Sequence, residues 1–157
     1  MNAAVQLQNL DEAALVALAQ RLAPALRGGA VVHLRGELGA GKTTFARALL
    51  KALGVGERVK SPTYSLIESY RVAQRDIHHL DLYRIADPQE LEWLGLGELA
   101  DPTALLVVEW PERGAGLLPM PDLIVHLHHA GGRRDLSIDA TARGRQLLAD
   151  AGLLARH

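Results

Sequence analysis

Early in the chain, Gly36-Glu37-Leu38-Gly39-Ala40-Gly41-Lys42-Thr43 fits the Gly-x-x-x-x-Gly-Lys-Thr pattern of a phosphate-binding loop. Its chemistry follows from the residue types. Gly36, Gly39 and Gly41 permit positive φ and close backbone approach, so that successive N–H groups can face an anion. Lys42 supplies a cation for β- and γ-phosphates, the Thr43 hydroxyl suits Mg²⁺, and Thr44 follows as a further nucleotide-binding candidate. A helix opening at this point turns its positive end toward the same anion.

Such a loop needs acids nearby to hold the metal and orient an attacking water. Two carboxylates end apolar stretches: Glu109 follows Leu105-Leu106-Val107-Val108, and Asp81 follows Ile77-His78-His79-Leu80. A carboxylate leaving the C-terminal end of a strand reaches the edge where α/β proteins bind ligands. Both are candidate metal and catalytic residues beside Lys42. For Asp81 the alternative is a surface pair with Arg84. Thr63, in Ser61-Pro62-Thr63-Tyr64, lies about twenty residues past Lys42, where many nucleotide hydrolases keep a phosphate-sensing loop. The only asparagines are Asn2 and Asn9. A guanine-reading Asn-Lys-x-Asp is therefore missing, which favours ATP.

These residues need a scaffold, and the hydrophobic pattern supplies one. Residues 3–7 read as a short strand. Asn9 or Asp11 then caps a helix carrying Leu15, Leu18, Leu22 and Leu26, with Pro24 a possible kink and Gly28-Gly29 as its stop. Residues 30–34 form a buried strand running into the loop, and 42–53 a helix ended by Gly54. Residues 63–72 and 76–82 read as a hairpin, and Asp87-Pro88 opens a short helix to about 94. Strands are expected at 105–109, 123–127 and 135–139, the last two joined at Gly131-Gly132, before a helix capped by Thr141. The Pro- and Gly-rich stretch 111–122 reads as a surface loop. The sum is one three-layer α/β domain over residues 1–157, its sheet mixed parallel and antiparallel and flanked by helices.

Composition narrows the function. Seventeen Lys and Arg against 18 Asp and Glu leave a net charge of −1, without the broad basic field of a DNA-binding surface. Arg133, Arg134, Arg143 and Arg145 are the residues able to form a local basic patch. The absence of cysteine excludes disulfides, thiolate metal sites and Cys nucleophiles. The histidine pairs His78-His79 and His128-His129 point to opposite faces of any strand, which suits structural roles better than a shared metal. Trp93 and Tyr83 read as packing residues. The run 104–108 is too short to span a membrane, and no secretory signal opens the chain, so a cytoplasmic protein is expected.

Several segments taken together resemble the TsaE family of bacterial P-loop ATPases. They are the loop with Thr44-Phe45, Ser61-Pro62-Thr63-Tyr64, His79-Leu80-Asp81-Leu82-Tyr83-Arg84 and Val108-Glu109-Trp110-Pro111. The resemblance runs from about residue 10 to Arg133. It implies ATP binding with weak intrinsic hydrolysis, and association with TsaD and TsaB. That pair makes the threonylcarbamoyl modification on adenosine 37 of tRNAs reading ANN codons, so tRNA is reached only through the complex. The ATPase would reset the transferase and would not itself transfer the group. By position, Lys42 and Thr43 hold phosphate and Mg²⁺, Glu109 joins the metal shell, and Asp81 is the acid of a switch-like segment. Trp110 flanks the nucleotide, and Asp11-Glu12 and Gly132-Arg133 lie near it. Glu37 stands where the family more often has Asp, at a position that needs mainly a backbone N–H.

Two other readings remain open on the sequence. A small-molecule kinase would need an Arg-bearing lid, and 111–122 offers only Arg113. An ATP-sensing interaction module would need no turnover. No arginine finger within the chain is evident.

Overall fold

The computed structural model describes residues 3–56, 66–95 and 101–155. Its centre is a seven-stranded sheet. The strands are β1 (Ala3–Leu10), β2 (Ala30–Gly36), β3 (Ile67–Val72), β4 (Arg75–Asp81), β5 (Leu105–Glu109), β6 (Leu123–Ala130) and β7 (Arg133–Ala140). In space they run β1-β7-β6-β2-β5-β4-β3. The inner four, β6-β2-β5-β4, are parallel, while β1, β7 and β3 pair antiparallel at the flanks. The helices are α1 (Glu12–Leu22), α2 (Lys42–Ala52) and α3 (Ala142–Asp150).

Strand alternation sorts side chains into two cores. Val32 and Leu34 of β2, Leu105 and Val107 of β5 and Val125 and Leu127 of β6 join the apolar faces of α1 and α2, with Phe45 fully buried among them. The other face gathers Leu80, Leu82, Ile85, Leu91, Leu106 and Val108. Two 3-10 turns, Pro88–Leu94 and Pro111–Gly114, supply Leu91 and the close-packed Gly114 on that side. The three-layer expectation holds, with one outer layer built among the described residues from short turns.

Local chemistry sets the boundaries. Asp11 caps α1, its carboxylate accepting the Ala14 N–H at 2.8 Å. Asn9 belongs to β1, which extends three residues past the expected 3–7. Pro24 does not kink α1: the α-helix stops at Leu22, and Ala23–Leu26 continues as a 3-10 turn with the proline in its first positions. The β3–β4 hairpin turns on two residues, Ala73 and Gln74, at φ 51° and 65°. That is the primed geometry that suits strand twist, so Arg75 pairs with Val72 and is not part of the turn. Within 111–122, Pro111 and Gly114 are buried, and a Cβ at 114 would meet Leu91 and Leu82 at 2.6 and 2.9 Å. This part of the expected surface loop is core. The expected strand over 63–65 lies outside the described residues.

Two positions of β2 carry measurable consequences. Gly36 (φ 154°) passes so close to β6 that a Cβ would lie 2.4 Å from the Leu127 carbonyl oxygen. Gly36→Ala is expected to cost about 2 kcal/mol or more, read as a lowered thermal midpoint; an unchanged midpoint would mean that β6 yields.

His33 is buried on the far face, and burial, helped by the charge of Arg35, holds its pKa at about 4 against a hydrogen bond to the Pro119 backbone. Between pH 6.5 and 4 the unfolded chain takes up a proton that the folded His33 refuses. Its contribution is therefore complete above 6.5 and lost as pH falls toward 4. Going from about pH 7 to about pH 5, urea unfolding should show about 2 kcal/mol less loss of stability in His33→Leu than in the wild type. Equal losses would contradict the assignment.

Candidate functional site

The four parallel strands end together, and β2, β4 and β5 are in register there: Leu34 pairs with Glu109, and Glu109 with Asp81. Alternation puts His79, Asp81 and Glu109 on the α2 side of the sheet, together with Ile77, Leu105 and Val107. Beyond β2 the chain turns through the loop and enters α2 at Lys42, with Gly41 at the N-cap in left-handed geometry (φ 104°). No side chain caps this helix, so its first N–H groups remain available to an anion.

Glu109 is 1% exposed, and its carboxylate is divided between two partners. Thr43 donates its hydroxyl to Oε1 at 2.8 Å, and His79 Nε2 meets Oε2 at 2.6 Å. Lys42 is also buried. Its ammonium donates to the carbonyls of Gly36 and of Glu37 (3.0 Å for the latter) and lies 4.0 Å from the centroid of the Trp110 ring. Burial lowers the Lys42 pKa, while Glu109, Glu112, Asp81 and Glu37 act in the opposite sense. Asp81 accepts the Tyr83 N–H at 3.0 Å, and burial, opposed by that bond and reinforced by the Glu109 charge, raises its pKa. Among the described residues it makes no ion pair with Arg84.

Trp110 holds a left-handed backbone (φ 58°, ψ 48°), uncommon for a large side chain. Its ring leans on Tyr83 at 5.0 Å, and the Arg113 guanidinium lies 5.2 and 5.6 Å from the Tyr83 and Trp110 rings. Together with Leu38, Gly39, Thr44 and the residues above, these rings enclose a cleft of about 190 Å³. A larger hollow of about 440 Å³, lined by Leu26, Leu53, Ile77 and Leu105, opens where β4 and β5 begin and is remote from the carboxylates.

The loop is braced from behind. The carbonyls of Gly36, Glu37, Leu38 and Gly39 all receive donors: Lys42 serves the first two, His129 the third at 3.2 Å and Arg134 the fourth at 3.0 Å. Ala40 is fully buried, whereas Leu38 is 67% exposed, and the Glu37 carboxylate lies 3.9 Å from His128.

The structure thus gathers Leu38, Gly39, Gly41 to Thr44, Asp81, Glu109 and Trp110 around one cleft, whereas Gly36, Glu37 and Ala40 belong to the loop without lining it. Arg133 bonds the Asn9 carbonyl at 3.4 Å, and it is Arg134 that reaches the loop. Glu12 stands exposed in the first turn of α1, with no hydrogen bond to the loop among the described residues. Thr63 and its Ser-Pro-Thr-Tyr segment lie outside them. The arginines form no single patch, for Arg143 bonds the Gly29 carbonyl, at the opposite end of β2 from Gly39. Both packing assignments to aromatics need correction. Trp93 is 86% exposed because Leu91 takes the inward position of its 3-10 turn, and Tyr83, 38% exposed, walls the cleft. His79, assigned no role from the sequence beyond a structural one, contacts the central carboxylate; its place in the His79-Leu80-Asp81 segment was the available signal.

Comparison with known proteins agrees with this geometry. Residues 9–136 match the model of the family described as "Threonylcarbamoyl adenosine biosynthesis protein TsaE". A protein of Haemophilus influenzae named tRNA threonylcarbamoyladenosine biosynthesis protein TsaE is 41% identical over 120 residues, 76% of each chain. The protein of the same name from Bacillus subtilis is 34% identical over 142 residues, covering 90% of this chain and 87% of its own. The crystal structure of Bacillus subtilis YdiB superposes with a TM-score of 0.77 at 24% identity, covering 97% of both chains. With its phosphate loop, edge carboxylates and sequence all in agreement, the chain belongs to the TsaE family.

Proposed function

We propose that this protein is the Mg²⁺-dependent ATPase subunit of tRNA threonylcarbamoyladenosine biosynthesis, resetting a TsaD–TsaB transferase complex by binding and hydrolysing ATP. The observation that carries the reading is the Thr43–Glu109 hydrogen bond, which joins the loop hydroxyl to a strand-end carboxylate beside Lys42.

The residues fit a hard cation. Thr43, Glu109 and Asp81 offer oxygen ligands only, and among the described residues no three His, Asp or Glu side chains form a closed metal cage. Phosphate and water would complete the shell, the usual arrangement for Mg²⁺. Bound there, the metal would neutralise charge on the terminal phosphates. The chain's own part is positional. Loop N–H groups and the α2 N-terminus bind the phosphates, Lys42 turns from the loop carbonyls toward them, and Asp81 and Glu109 orient an incoming water. Trp110 and Tyr83 shield the cleft. Among the described residues no arginine lines the cleft itself: Arg113 lies against the two rings and Arg134 holds the Gly39 carbonyl behind the loop. That supports slow turnover alone and completion of the site by the partner complex; tRNA is then reached through that complex, in the cytoplasm.

Phosphate release from ATP, measured with and without purified TsaD and TsaB, tests the proposal. A slow basal rate should rise on adding the pair, and Lys42→Ala should lower it by about 100-fold or more. Glu109→Gln should keep nucleotide binding while losing a similar factor in release. Equal turnover with and without the pair would remove partner activation from the reading; nucleotide binding without any release would leave a sensor.

A further inference from the structure

His79 is fully buried, and its Nδ1 has no hydrogen-bond partner. An orphaned polar atom in an apolar wall costs free energy that a leucine at the same place would avoid. Packing alone therefore gives no reason for a histidine here. The other ring nitrogen does, since Nε2 lies 2.6 Å from Glu109 Oε2. A carboxylate accepts, so Nε2 carries the hydrogen, and in the neutral ring Nδ1 then bears the lone pair. An orphaned lone pair on Nδ1 is a smaller penalty than an orphaned N–H.

The register explains the reach. His79 pairs with Val107 and Asp81 with Glu109, all on the α2 side, so the ring extends one step along the sheet to the end of β5. It holds Oε2 from behind while Oε1 stays at Thr43. Lysine or arginine could also hold the carboxylate, but would cancel its charge. An imidazole N–H fixes the orientation and leaves the negative charge for a cation at the mouth of the cleft.

We propose that His79 is a positioning residue that sets the Glu109 carboxylate for Mg²⁺ at the nucleotide site, an inference that rests on the ATPase reading above. The probe is the affinity of full-length protein for the non-hydrolysable analogue AMP-PNP, measured by calorimetry in excess EDTA and again in excess MgCl₂. The wild type should gain affinity from magnesium. His79→Leu should lose about tenfold of that gain while keeping its affinity in EDTA. His79→Gln, whose amide can reach Oε2, should stay close to wild type. If His79→Leu fails to melt cooperatively, His79→Asn replaces it, being polar but too short to reach Glu109. In ¹⁵N-histidine spectra the buried ring should appear as the Nε2–H tautomer.

A full magnesium-dependent gain in the Leu or Asn variant would overturn the role, as would equal losses with and without magnesium, or the Nδ1–H tautomer. A wild type that binds AMP-PNP equally in EDTA and MgCl₂ would instead overturn the Mg²⁺-dependent reading, and this inference with it.

Discussion

A carboxylate with 1% of its surface exposed, at the end of a strand otherwise made of leucine and valine, sets the conditions for everything around it. Such a group survives burial only with its lone pairs occupied and a positive charge within reach. For Glu109, Thr43 and His79 occupy the oxygens, and the Lys42 charge acts on the same cluster. Each partner comes from a different segment, so β4, β5 and the loop-to-α2 junction must meet at one height. The parallel register of β2, β5 and β4 provides that alignment. The two apolar cores then keep the sheet rigid enough to hold side chains within hydrogen-bonding distance.

How much of this was legible depended on how far each signal travels along the chain. The phosphate loop and both strand-end acids could be read because their meaning is local: a glycine spacing, and a charge closing an apolar run. The role of His79 was not, because it depends on β4 lying beside β5 in one particular register. Arg133 and Arg134 differ by a single step, and in a pleated strand one step exchanges the faces; sequence alone could not say which would meet Gly39. Trp93 was misassigned because the size of an apolar ring suggested core, whereas the 3-10 turn sets Leu91 inward and leaves Trp93 exposed. The extent of β1 and the two-residue turn at Ala73-Gln74 were missed because long-range pairing and twist, not composition, decide them. The α/β class, by contrast, was written in the alternation of apolar runs and needed no register.

The four successive loop carbonyls that receive Lys42, His129 and Arg134 carry a consequence for energetics. Many anion-binding loops are ordered only by their ligand, so affinity is reduced by the entropy of freezing the backbone. Here the order is already present, because the chain's own side chains hold the carbonyl side of the loop and the Ala40 N–H turns back onto the Glu37 carbonyl, while the α2 N-terminus carries no side-chain cap. Under the proposed ATPase reading, nucleotide entry would be an exchange, in which the Lys42 ammonium leaves two carbonyls for phosphate oxygens while His129 and Arg134 stay in place. An exchange of this kind couples affinity to the difference between two sets of contacts and not to their sum. A loop braced this way is formed before any ligand arrives, which under the same reading would let it fill and empty without unfolding its own site.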